Sequence, residues 1–324
     1  MRRVALIALF LSGLGCQRVK KAVSGWRHPP KPVVAKAPAP PAPLDAGPPP
    51  APVDDGVRWV SVTLAGPIER ALAGQVDPQV APALALVIQR LTLWWFPRAD
   101  QRKGDVITAL YDLPPGQEPH LLALRYASIK HGQTFTAYAY RAPGAPFARY
   151  FDVDGQELEE RLRDAPVAQY EEVTSLLNDG RHHHGVDFKC PVGSQVVMPF
   201  DGTVVRKNWN WRFNGNCVEV VDSKTGRHAK FLHLSEVPDT LKPGMHLGLG
   251  QPLARSGNTG HTTAPHLHYQ LESPTGRILD PFQVQATYRR HLPPEQLPAF
   301  KQATAALDSR LTGSRGAIGV AVHD

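Results

Sequence analysis

The sequence predicts a mainly β domain preceded by a smaller α+β domain. From about 170 to 285, short strand-like runs alternate with glycine-rich turns ("SQVVMPF", "GTVVRKNW", "CVEVVD", "AKFLHL", "QPLARSG", "HLHYQLES"). Strands this short and closely spaced indicate an all-β unit. Between 57 and 166, two apolar helical stretches are followed by longer strand-like runs, the pattern of a separate α+β unit. Ahead of both, residues 29–53 are largely proline and alanine, a composition that cannot bury a core. A chain of 324 residues has room for two modest folded units.

Taken in order, residues 1–15 carry two arginines, then an apolar run over 4–14 that ends just before Cys16. The run is too short for a membrane-spanning helix and suits an export signal. The Gly15-Cys16 junction resembles a bacterial lipoprotein signal, cleaved before Cys16 with lipid on its sulfur, although Gly13 stands where that signal usually has leucine. The alternative is an ordinary secretory signal. Residues 16–56 then form a lipid-anchor cysteine and a stiff spacer extending roughly 3 Å per residue. The expected location is periplasmic, anchored to the envelope at the outer membrane, with secretion as the alternative.

In the 57–166 unit, "GPIERALAG" and "DPQVAPALALVIQRLTLWWF" read as helices, the second apolar enough to be buried, with Trp94, Trp95 and Phe96 as core. "DVITALYDL", "HLLALRYASI", "QTFTAYAYRA" and "ARYFDV" read as strands bounded by Gly, Pro or Asp, and "GQELEERLRDAP" as a short charged helix closing the unit. The all-β unit is expected over 167–288, and 289–324 as a helix-prone tail with a loose end. Cys190 and Cys217 either pair in an oxidising space or remain buried thiols. The formal charge of +7 is diffuse, with no basic stripe for nucleic acid; it favours anionic envelope polymers.

The histidines carry the chemistry. A catalytic zinc needs about three protein ligands and an open position. "HHHGVD" at 182–187 and "PHLHY" at 265–269 supply candidates. On extended backbone His183 and Asp187 share a face, with His182 and His184 opposite, and His266 and His268 project together with Leu267 turned inward. Two histidines and one carboxylate leave a divalent site at net +1, which acidifies bound water. His233 ends another apolar strand, in "AKFLHLSE".

"HHGVDF…PVGSQVVMPFDGTVV", "GNCVEVV", "FLHLS", "GNTGHTTAPHLHYQLE" and "LDPF" resemble, in order, the motifs of the lysostaphin/LytM-type zinc metallopeptidases, which cut peptide bonds in bacterial peptidoglycan. The resemblance covers roughly 175–285. More faintly, "KGDVITALYDL" and "YFDVDGQELEERLRDAP" resemble the N-terminal domain of Gram-negative murein endopeptidases of this family. It implies small antiparallel sheets forming a groove, with Zn2+ held by His183, Asp187 and His268 and with His233 and His266 as the catalytic pair. It further implies a peptidoglycan substrate cut at the D,D-amide cross-link between stem peptides. The expected partners are therefore peptidoglycan and, through Cys16, a membrane, with no nucleic acid, and the expected state is a monomer. Ala264 replaces a common glycine and Gln270 a common glutamate, and the loop "TSLLNDGRHHHG" is shorter than usual. The competing class is a non-catalytic LytM-type regulator that activates a cell-wall amidase; such proteins lack one or more of these five positions. The 57–166 unit, which has no metal-binding or nucleophilic constellation of its own, is expected to control access to the groove, or else to act as a passive spacer or a module that binds the wall.

Overall fold

The structure is a computed structural model that describes residues 56–313 apart from 117, 178 and 180–182. The expected signal, Cys16, the proline-rich spacer, His182 and the loose end therefore lie outside the described residues. Among the described residues no helix is long and apolar enough to cross a membrane.

The first sheet is an antiparallel meander of β1 (Arg58–Thr63), β2 (Val106–Asp112), β3 (His120–Ser128), β4 (Gln133–Tyr140) and β5 (Arg149–Phe151), with α1 (Ile68–Leu72) and α2 (Ala81–Thr92) inserted after β1. Leu84, Ala85, Ile88 and Leu91 line one stripe of α2 at helical spacing and pack on Ile107, Ala109, Leu124 and Tyr126. Leu110, Ala123 and Tyr138 point to the opposite face. Both faces are buried, which explains why β2 and β3 read as nearly continuous apolar runs. Trp94 and Trp95 pack as core, Trp94 edge-on to Phe282 at 5.3 Å and Trp95 stacked on Phe135 at 5.3 Å.

The remaining strands are β6 (Arg161–Leu162), β7 (Glu172–Ser175), β8 (Val186–Lys189), β9 (Gln195–Val197), β10 (Gly202–Lys207), β11 (Asn216–Asp222), β12 (His228–Leu234), β13 (His246–Leu247), β14 (Pro252–Arg255), β15 (His266–Glu272), β16 (Ile278–Leu279) and β17 (Thr287–Tyr288). The large sheet runs β13-β10-β11-β12-β15-β8-β7, with β16 beside β15, and β9–β14 and β6–β17 form two small sheets. All the paired strands are antiparallel, as the sequence predicts. Short helices α3 (Trp211–Asn214) and α4 (Pro281–Val284) interrupt this region, and α5 (Leu297–Gly313) follows it.

One element differs from expectation. "GQELEERLRDAP" is not a helix: Gln156 and Glu157 make isolated bridges and β6 pairs with β17. Its charges are not a solvated face. Arg161 holds Glu157 in a two-pronged, almost fully buried pair at 2.6 and 3.1 Å, and Glu159 accepts from Val173 N at 2.9 Å. Partners distant in sequence override local helix propensity here. The tail is helical, as expected, over α5. Phe300 and Leu311 of α5 cover the free face of the first sheet, and Tyr138 donates to Asp308 at 2.6 Å. Of the two alternatives for Cys190 and Cys217, the structure shows the second: both are free and buried, and burial pushes both thiols up.

Candidate metal centre

β15 sets the site by alternation. Leu267, Tyr269 and Leu271 are buried in the core, so His266, His268 and Gln270 occupy the other face. β8 pairs with β15 so that Asp187 lies directly opposite His268. His183 precedes β8, so strand parity does not bring it to Asp187. The chain instead turns in at Gly185, packed so closely that a Cβ there would lie 2.6 Å from Tyr269 O and 2.8 Å from His268 Nε2.

His183 Nε2 lies 3.1 Å from Asp187 Oδ1 and 3.0 Å from His268 Nδ1, and the last is 2.9 Å from Asp187 Oδ1. Tetrahedral zinc with bonds of about 2.0–2.2 Å wants donors roughly 3.3 Å apart. Two imidazoles and a carboxylate at this spacing are a donor set that could hold such an ion. Burial pushes the Asp187 carboxyl up, but the adjacent His183 and His268 rings outweigh it and hold the carboxyl well below the usual range. The outer nitrogen of His268 faces Gln270 Oε1 at 3.4 Å, and Gln270 Nε2 donates to Glu272 at 2.6 Å, which turns the amide oxygen toward the histidine.

His233 and His266 stand beside this cluster, with ring centroids 4.8 Å apart; His233 is 5.9 Å from the His268 ring. His266 Nε2 is 3.6 Å from Asp187 Oδ1. Both Nδ1 atoms face carbonyl oxygens, Ala264 O at 2.7 Å for His266 and Thr259 O at 2.9 Å for His233. A carbonyl only accepts, so each Nδ1 carries a proton, and in the neutral ring the lone pair lies on Nε2. Burial lowers the His233 pKa to about 4, so the ring is neutral at pH 7. His233 sits at a bulge, where β12 supplies one residue more than β11, and has φ 64°. Bulges of this kind re-aim a side chain, and histidine is among the residues that tolerate left-handed backbone.

The five histidine and aspartate positions singled out in the sequence are thus brought together, His184 is exposed, and His182 lies outside the described residues. Sequence reading missed Ser175, whose Oγ is 2.8 Å from His183 Nδ1 and donates to Asp179 Oδ2 at 2.7 Å. It also missed Thr259. A lone Ser at a strand end, or a lone Asp or Thr in a loop, carries no periodic signal.

Residues 181–281 match Peptidase family M23. The chain is 29% identical over 192 residues to Peptidoglycan DD-endopeptidase ShyA of Vibrio cholerae, covering 56% of this chain and 42% of that one. It is 31% identical over 186 residues to Peptidoglycan DD-endopeptidase ShyC of the same organism, covering 53% and 40%. The chain thus spans about two fifths of the length of these curated relatives. Among solved structures it is similar to Csd3 of Helicobacter pylori, with 22% identity and a TM-score of 0.38 over 81% of this chain and 70% of that one.

Proposed function

Because residues 181–281 make up a peptidase family M23 domain, we propose that the protein is a zinc-dependent peptidoglycan endopeptidase cutting D,D-amide cross-links between stem peptides. One observation carries the reading: His183, Asp187 and His268 converge beside a second pair, His233 and His266, whose free Nε2 atoms are left by carbonyl anchors. The names of the Vibrio relatives supply the bond class.

In this reading His183 Nε2, Asp187 and His268 Nδ1 hold the ion. Zinc bound there supplies a Lewis acid that polarises a carbonyl and brings a water's pKa to about 7. The chain does the rest. His266, its Nδ1 proton committed to Ala264 O, takes a proton from the attacking water at Nε2 and returns it to the leaving amine. His233 also has an accepting Nε2, so it orients that water rather than donating to the developing oxyanion. The outward chain from His268 through Gln270 to Glu272 keeps the imidazole in the ligating tautomer.

Lipid attachment at Cys16, the spacer and a periplasmic location belong to the same proposal. Cys16→Ser is expected to abolish palmitate labelling in cells; labelling that persists in that variant removes the anchor from it. The activity is tested on purified sacculi by resolving muropeptides. Cross-linked dimers should fall and monomers rise, chelation should stop the reaction, and zinc should restore it. A zinc-loaded protein that leaves cross-links intact but stimulates an added amidase would replace this reading with the regulator.

A further inference from the structure

We infer that Ser175 and Asp179 are positioning residues that fix the tautomer and orientation of His183 and thereby set the metal affinity of the centre. The inference rests on the metal site proposed above and concerns residues to which neither the sequence motifs nor the family match gives a role.

Ser175 is the last residue of β7 and pairs in register with Asp187 of β8, so one strand pair places both the ligand carboxylate and the serine. The β7 ladder shifts register between Val173 and Ser175, which turns the Ser175 side chain toward the site. Ser175 and Asp179 are both buried, 3% and 8% exposed, behind His183. Ser175 and Asp179 also line a cavity of about 120 Å3 together with Leu86 and Arg90 of α2.

The proton count gives the argument its direction. A hydroxyl has one proton, and Ser175 Oγ gives it to Asp179 Oδ2 at 2.7 Å. Its oxygen can then only accept from His183 Nδ1 at 2.8 Å, so that nitrogen carries the imidazole proton. The lone pair is forced onto Nε2, the atom that faces Asp187 and His268. The chain Asp179–Ser175–His183 therefore ends on a carboxylate and holds a ligand nitrogen deprotonated and aimed. It mirrors the weaker chain behind His268, whose first step is 3.4 Å. His183 lies on irregular backbone ahead of β8, so this pair does for its ring what strand pairing does for His268.

The test is zinc affinity of the full chain, read by competition with a chromophoric chelator, alongside thermal melting of the metal-free protein. Ser175→Ala and Asp179→Asn are expected to weaken zinc binding about 10- to 100-fold. Ser175→Thr, which keeps the hydroxyl, should remain within about threefold of wild type, and the metal-free melts should be unchanged. Ser175→Ala or Asp179→Asn binding zinc within about threefold of a zinc-binding wild type overturns the inference and leaves the metal site standing. Failure of Ser175→Thr to rescue, or a loss of affinity matched by a lowered metal-free melting temperature, overturns it in favour of a packing role. A wild type that binds no zinc overturns the metal site itself.

Discussion

Gly185 has no side chain, and that absence is what lets His183 reach the two other donors. A Cβ there would collide with the backbone oxygen of Tyr269, which cannot move without breaking β15, and with the His268 ring. Gly185→Ala is expected to cost about tenfold or more in zinc affinity, measured by chelator competition. Unchanged affinity would show that the turn relaxes freely. The ligand assignment came from the resemblance, whose His-x-Gly-x-Asp and His-x-His motifs each lie within a few adjacent residues. The geometry was not legible. His183 reaches Asp187 through a turn rather than along a strand, and His233 reaches the site through a bulge at φ 64° that no alternation pattern announces. Ser175 was invisible because its pairing with β8 is fixed across the sheet, and Asp179 and Thr259 because they act from loops without a periodic pattern.

At the scale of elements, β15 was readable because its alternation of Leu267, Tyr269 and Leu271 with His266, His268 and Gln270 is complete. The stretch from 156 to 165 was misread for an equally physical reason. Glu157 and Arg161 stand four apart, a spacing that suits a helix face, yet here they form a buried pair at 2.6 Å beside a two-residue strand. Within that cluster burial pushes the Glu159 carboxyl up to about 7, against the pull of Arg149. The folded state therefore binds this proton more tightly than the unfolded chain, whose value is about 4.3. The stabilising contribution is full below that value, falls as pH rises toward about 7, and is lost above it. Glu159→Gln should gain stability relative to wild type on going from about pH 5 to about pH 8, read from urea midpoints. A difference between the two proteins that does not change with pH would contradict the assignment.

For the whole molecule, Asp54–Asp324 is one compact unit with cores that interlock. Trp94 packs in both the α2 core and the core of the large sheet, and α5, from the far end of the chain, covers the first sheet. Leu162, on the near side of the boundary expected at 166, is buried in the same core as Val167, Tyr170 and the large sheet. A chain that begins at residue 170 loses Leu162 and Val167 from that core and should melt at a lower temperature than the full chain or fail to fold. An equal melting temperature by circular dichroism would show the large sheet to be independent. Access control by the first unit is therefore better tested in the intact chain than in such a fragment. That the chain returns through α5 was not legible, since an amphipathic helix near a terminus does not say which sheet it covers. The central claim is that three residues hold metal while two others do the chemistry. It is tested most directly by zinc content and muropeptide release measured together on His183→Ala and His266→Ala. The account predicts that His183→Ala loses both zinc and cleavage, whereas His266→Ala keeps one zinc per chain and loses cleavage. Equal zinc content in the two variants, or cleavage retained by folded His266→Ala, would contradict it.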